Sequence, residues 1–320
     1  MSSVLSQHEL LEWLRTRIEE RTPTAVVRFG DGEEVLMGAR ADEAGSIAAA
    51  KQKLARHADQ HFSAEAVLEI KRAIEQAFDE ADALGILYGH ELVEGQMNRL
   101  TRIYADRVRC GRKPAVLAHC LLSHDILDSL PGMLAGRRVS VISCRDVKPV
   151  LEAEWGVQDV PVYKVPSQHA QRDLDGAYEA ALHDVPIWPD VHTRIREELT
   201  VRERGEVFLI GAGVFGKDLC IRVRDDGGVA VDLGSALDRV VGKITRGPRR
   251  LVASLHARGM SAAEIAIQLE GRFGVKIDRE EVSALTSDAP APVGGDPPTL
   301  DMLDFYAGGL SAFRGQWETA

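Results

Sequence analysis

Arg28, Asp31 and Glu33 crowd the end of a short apolar run in Thr24-Ala-Val-Val-Arg-Phe-Gly-Asp-Gly-Glu-Glu34. Ala25, Val26 and Val27 suit a buried strand of a parallel sheet, and Gly30 and Gly32 free the backbone to turn sharply behind it. Ligands of open α/β sheets gather at that strand edge. A D-x-E pair suits a hard divalent cation, Mg²⁺ or Mn²⁺, which takes one or two carboxylates and completes its shell with water and phosphate oxygens. The same residues also read as an Asp-Gly surface turn with a solvated acidic pair, and the pattern alone leaves the two readings side by side.

A second group stands later in the chain. Gly211-x-Gly213-x-x-Gly216 follows an apolar run and opens a helical pattern, with Asp232 about 20 residues on. That is the spacing of a dinucleotide fingerprint, with glycines for a tight turn, a helix N-terminus for phosphate and a carboxylate for ribose hydroxyls. Without a ligand it is a glycine-rich turn. Lys217 enters the first helical turn and can pair with phosphate, and Lys243 and Arg246 add cations further on. His90, Glu91, His119, Arg145, Asp146 and His169 each follow a predicted strand, so parallel strands would collect them on one rim. A reaction that activates a substrate hydroxyl needs a general base within hydrogen-bond reach, and His90 and Glu91, in Tyr88-Gly-His-Glu91, are the catalytic candidates for that role. No G-x-S-x-G elbow is present to suggest a serine nucleophile.

Arg28-Phe-Gly-Asp-Gly-Glu33 resembles the signature of the GT-D-type bacterial glycosyltransferases, and Phe208-Leu-Ile-Gly-Ala-Gly-Val-Phe-Gly-Lys217 through Ala230-Val-Asp-Leu-Gly234 is similar to that family's C-terminal half. The resemblance implies a nucleotide-sugar donor and a divalent metal. It also implies that Asp31 and Glu33 sit at the metal and the donor diphosphate, as ligands and catalytic residues. It covers about Thr24 to Arg246.

The elements that must position these residues alternate. Apolar runs at 84–88, 114–118, 138–143, 160–165, 206–210 and 229–232 follow the signature strand, with helical patterns between them. Ser6-Gln-His-Glu9 is a capping box ahead of Leu10, Leu11, Leu14 and Ile18, and Ser63 caps another helix. The expectation is a mainly parallel, Rossmann-like α/β sheet with helices on both faces. Pro248 ends the alternation. Residues 248–288 resemble a helix-turn-helix module, with Gly259 and Ser261 as stop and start signals. Its second helix would be acidic, at Asp278-Arg-Glu-Glu-Val282, whereas base reading favours Arg, Lys, Asn and Gln. Residues 289–320 read as a Pro/Gly linker and an amphipathic helix from Leu300 to Trp317. The catalytic unit is therefore expected over residues 1–247.

A net charge of −10 argues against a grip on nucleic-acid backbones, though it leaves room for a local basic patch. Cys110, Cys120, Cys144 and Cys220 form no C-x-x-C pair, which suits reduced buried thiols in a cytosol. The N-terminus lacks the basic start and apolar core of a signal peptide, and no apolar run reaches membrane-spanning length. A cytoplasmic protein is expected.

The sequence reading is a metal-dependent glycosyltransferase with a UDP-hexose donor. Arg28 and the Gly211 loop with Lys217 would face the diphosphate, Asp232 the ribose, and Asp31 and Glu33 the metal. A glycan, a protein side chain or a modified nucleobase would serve as acceptor, and homo-oligomers remain open. Two alternatives compete: an NAD(P)-dependent oxidoreductase built on the Gly211 fingerprint, and a non-catalytic nucleotide-binding or DNA-associated regulator built on the C-terminal helices.

Overall fold

The computed structural model describes residues 4–58, 60–86, 115–117, 121, 124–167, 176–242, 256, 259–273, 279 and 282–283. The chain divides into two compact units, Met1–Tyr88 with Glu94–Lys243, and Gly89–Val93 with Ile244–Ala320.

Among the described residues, eight strands form the sheet of the first unit: β1 Val4–Leu5, β2 Thr24–Arg28, β3 Ala83–Ile86, β4 Ala115–Leu117, β5 Val139–Ser143, β6 Val162–Lys164, β7 Val207–Gly211 and β8 Val229–Asp232. Their order is β1-β4-β3-β2-β8-β7-β5-β6, and every pairing is parallel. The fold is the expected α/β sheet. One strand was not expected: Val4–Leu5 is too short to show alternation and is recognisable only by its pairing with Ala115 and Val116.

Side chains alternate across the sheet with the period of two that a pleated strand imposes. Ala25, Val27, Phe208 and Ile210 point into one apolar layer, and Val26, Val207 and Leu209 into the other. The first layer is closed by helices α2 Asp31–Met37, α3 Ala44–His57 and α4 Ala64–Glu80, and by α9 Lys217–Asp225. The second is closed by α1 Gln7–Glu19, α5 His124–Leu134, α6 Lys148–Ala153 and α10 Ala236–Val240. The short α7 Ala177–Ala180 and α8 His192–Glu198 complete the unit.

Local signals explain several starts. Ser6 Oγ accepts from Glu9 N at 3.3 Å while Glu9 Oε2 accepts from Ser6 N at 2.7 Å, so the capping box forms as read. Ser63 Oγ accepts from Ala66 N at 3.1 Å and caps α4, whose Val67, Ile70, Ile74 and Phe78 lie on its buried face.

The connections fix where a ligand can lie. The chain leaves β2 into α2, whose Leu36 and Met37 pack in the first layer. It leaves the neighbouring β8 into α10, whose Ala236 and Leu237 pack in the second. Adjacent loops that depart to opposite faces open a crevice at the C-terminal ends of their strands.

In the second unit, α11 Ala262–Phe273 begins at the expected Ser261, whose N–H and Oγ both donate to Glu264 Oε2, at 2.8 and 2.7 Å. The expected linker and C-terminal amphipathic helix lie outside the described residues. Among the described residues no helix is long and apolar enough to cross a membrane.

Candidate active site at the C-terminal edge of strands β2 and β8

Arg28 is the last residue of β2, and the chain turns at once into α2 with Gly30 as its N-cap. The sequence suggested a glycine-rich turn here, whereas Asp-Gly-Glu is the first turn of a helix. Gly30 is needed for space rather than for a left-handed backbone. A Cβ there would stand 3.2 Å from Arg28 Nη1 and 3.3 Å from Glu33 Oε2. Glu33 reaches back to accept from Gly30 N at 2.9 Å, which satisfies one of the helix's open N–H groups.

The other oxygen of Glu33 faces Lys217. That residue begins α9, and its Nζ lies 2.9 Å from Glu33 Oε1 and 2.5 Å from Asp232 Oδ2. Asp232 ends β8 and also accepts from the backbone N of Arg28 at 3.1 Å. Arg28, Glu33, Lys217 and Asp232 are 7, 4, 0 and 1% exposed. Two cations and two carboxylates therefore meet beneath the crevice with no net charge.

Burial alone would raise the Glu33 pKa. The charges of Lys217 and Arg28 and the hydrogen bonds outweigh it and hold the carboxyl far below the usual range. For Lys217 burial works downward, but Asp232 and Glu33 prevail against it and against Arg28, and the ammonium is held above its ordinary value. Both groups are thus charged across the neutral range. The Cys220 thiol, whose Sγ lies 3.2 Å from Gly216 O, is pushed up chiefly by burial and stays an inert thiol.

Arg28 differs from the rest of the cluster. Its buried Nε has no hydrogen-bond partner among the described residues. Its guanidinium lies against Gly234, where a Cβ would stand 2.8 Å from Nη2. Gly234 also has a φ of +51°, so both space and backbone favour glycine at this point after β8. The glycines of the Gly211 loop have local reasons of the same kind. A Cβ on Gly211 would stand 2.9 Å from Gly234 O, one on Gly216 would press on Ile210 Cγ2 at 3.0 Å, and Gly213 has a φ of +57°.

A model of the GT-D fold-like domain family matches residues 5–240. The chain belongs to the GT-D-like family. No curated protein matches it. Two solved chains of domain of unknown function 1792 are similar to it at 15% identity. One, described as having a distinct glycosyltransferase fold, has a TM-score of 0.40 over 73% of this chain and 79% of its own. The other, a selenomethionine-substituted structure, has a TM-score of 0.37 over 72 and 83%.

The GT-D-like unit brings together Arg28, Glu33, Lys217 and Asp232, all expected from sequence, around Gly30, Gly234 and the Gly211 loop. The side chain of Asp31 lies outside the described residues, as do His90, Glu91, His119, His169, Lys243 and Arg246. Among the described residues no group of three or more His, Cys, Asp or Glu could hold a metal ion.

Arg145 and Asp146, expected on the rim, part company. Asp146 is exposed, while Arg145 is fully buried and joins Asp238 Oδ1 at 2.7 Å to Glu179 Oε1 at 3.4 Å. It thereby ties the end of β5 to α7 and to α10. His192, Asp218 and Arg196 form a further group that the sequence reading missed. His192 Nε2 lies 2.9 Å from Asp218 Oδ1, and Arg196 Nη1 lies 2.5 Å from Oδ2. These partners stand 22 to 93 residues apart, and no local spacing announces them.

Proposed function

We propose that this GT-D-like protein is a metal-dependent glycosyltransferase that moves a hexose from a UDP-sugar to an acceptor hydroxyl. The observation that carries the reading is Arg28. A guanidinium buried at the ligand edge of an α/β sheet, whose Nε–H has no partner among the described residues, leaves a strong donor unsatisfied, and such a group costs on the order of 1–3 kcal/mol or more until an acceptor meets it. A diphosphate oxygen is the acceptor that matches its charge, and Arg is suited to phosphate. Gly30 and Gly234 keep side chains away from the guanidinium.

Glu33 offers a hard divalent ion one carboxylate ligand. Glu33 is ionised and held in place by Gly30 N and Lys217, and a carboxylate oxygen in one hydrogen bond keeps a second lone pair. Asp31 and Glu33 would hold the ion, with phosphate and water oxygens completing its shell. When bound, it would neutralise the departing diphosphate. Arg28 would orient the same diphosphate from the side of β8. Lys217 and Asp232 act from beneath by fixing the charge and direction of Glu33.

The oxidoreductase alternative gains nothing specific. The fingerprint glycines are accounted for by close packing and a positive φ, and Asp232 is engaged by Lys217 and Arg28 N.

A thermal-shift screen of UDP-sugars with and without Mn²⁺ tests the proposal, since a specific ligand raises stability by mass action. A UDP-sugar that raises the melting temperature only with Mn²⁺, and releases UDP on incubation, supports it. A response to NAD(H) and to no UDP-sugar would sink it.

A further inference from the structure

Glu33 and Asp232 are both engaged by one ammonium, 2.9 and 2.5 Å away, and with Arg28 the four charges cancel. Lys217 is wholly buried and two carboxylates take two of its three N–H donors, which turns it away from the role of a hand for phosphate. Its place suggests another task. A divalent cation that reaches Glu33 alone would meet two fixed positive charges in surroundings that screen them poorly.

We infer that Lys217 is an internal counter-ion that makes divalent-cation binding conditional on the donor. Its ammonium holds Glu33 aimed while cancelling the attraction of Glu33 and Asp232 for a free cation. The diphosphate brings the negative charge that restores this attraction, so the cation enters with the nucleotide rather than before it. Lys217 is on this account a positioning residue that acts through Glu33. The inference rests on the glycosyltransferase reading.

Mn²⁺ binding, followed by electron paramagnetic resonance of the free ion, tests the inference on the full chain. Wild type, Lys217→Met and the double variant Lys217→Met/Asp232→Asn are compared with and without UDP, after correction for Mn²⁺ held by UDP in buffer. The double variant removes one charge of each sign and so guards against a fold lost to an unpaired carboxylate. Wild type is expected to bind Mn²⁺ about tenfold or more tightly with UDP than without it. In Lys217→Met at pH 8, affinity without UDP should rise by about tenfold and the dependence on UDP should shrink, whereas the double variant, whose cluster is again neutral, should stay near wild type without UDP. Equal affinity in wild type with and without UDP, no gain without UDP in folded Lys217→Met, or a double variant that gains as much as Lys217→Met, overturns the inference. Melting temperatures with UDP separate the two claims. If UDP stabilises none of the proteins, the glycosyltransferase reading fails, while the comparison without nucleotide still decides what Lys217 does.

Discussion

Lys217→Met removes a buried ammonium and keeps most of the apolar stem, so its cost measures charge rather than packing. Glu33 and Asp232 would then share the interior with Arg28 alone. Breaking a buried pair by deleting one partner costs about 3–5 kcal/mol. Proton uptake sets a ceiling on that cost. A carboxyl with an ordinary value of 4.5 can be folded in its neutral form for about 1.4 kcal/mol per pH unit above it. At pH 7.5 the ceiling is about 4 kcal/mol, and at pH 5.5 about 1.4 kcal/mol, apart from lost hydrogen bonds. One carboxyl in the variant has its folded pKa raised above its unfolded value, so acid stabilises the variant relative to wild type. Urea denaturation should therefore give a loss of about 3–4 kcal/mol at pH 7.5 that falls to about 1–2 kcal/mol at pH 5.5. A loss that is equal at both pH values, or below about 1 kcal/mol at pH 7.5, refutes the buried four-charge cluster.

Wild type should show the opposite acid response. Glu33 has a lowered folded pKa, so its contribution is complete above about 4.5 and is lost as pH falls below that; Lys217, with a raised one, contributes fully below about 10.5 and loses it above. Stability measured by denaturant should accordingly be flat between these limits as far as this pair is concerned. Arg28→Lys keeps the charge but loses the planar fork, so UDP affinity by calorimetry should fall by about tenfold or more with little change in apo melting temperature; unchanged affinity would remove Arg28 from the diphosphate. Gly234→Ala sets a methyl 2.8 Å from Arg28 Nη2 at a φ of +51°, and should cost about 1–3 kcal/mol along with UDP affinity. Asp31→Asn should abolish the Mn²⁺ dependence of UDP binding, and retained dependence would end the assignment of Asp31.

The sheet was legible because its central strands are buried on both faces and read as continuous apolar runs: Ala25-Val-Val27, Val139 to Ser143, Val207 to Ile210 and Val229 to Asp232. The first strand was not, since two residues carry no period and Val4–Leu5 is defined by a partner more than 100 residues away. The residues of the cluster were legible by type and position, because strand ends in an α/β sheet point at one edge. Their partnership was not. Lys217 looked like a phosphate ligand because it opens a helix after a glycine loop, and only tertiary structure turns its side chain under the sheet edge toward Glu33 and Asp232.

That difference changes which substitutions are informative. Judged from sequence, Glu33→Gln is a mild change at a turn, expected to spare the apo protein. In the structure Glu33 accepts from Gly30 N and pairs with a buried ammonium, so the amide weakens a helix start and leaves Lys217 with one carboxylate fewer. A loss of about 1–3 kcal/mol should accompany any loss of metal dependence. Gly213→Val is compromised in the same way, because a φ of +57° strains a β-branched residue whether or not a diphosphate passes nearby. Arg28→Lys escapes both faults: it keeps the charge, and the Nε it removes has no partner among the described residues. A large fall in UDP affinity with an unshifted apo melting temperature would then report on the ligand alone. A fall in both would show that the guanidinium is also supporting the fold around Gly234, and that the unpaired Nε is a structural cost rather than the mark of a diphosphate site.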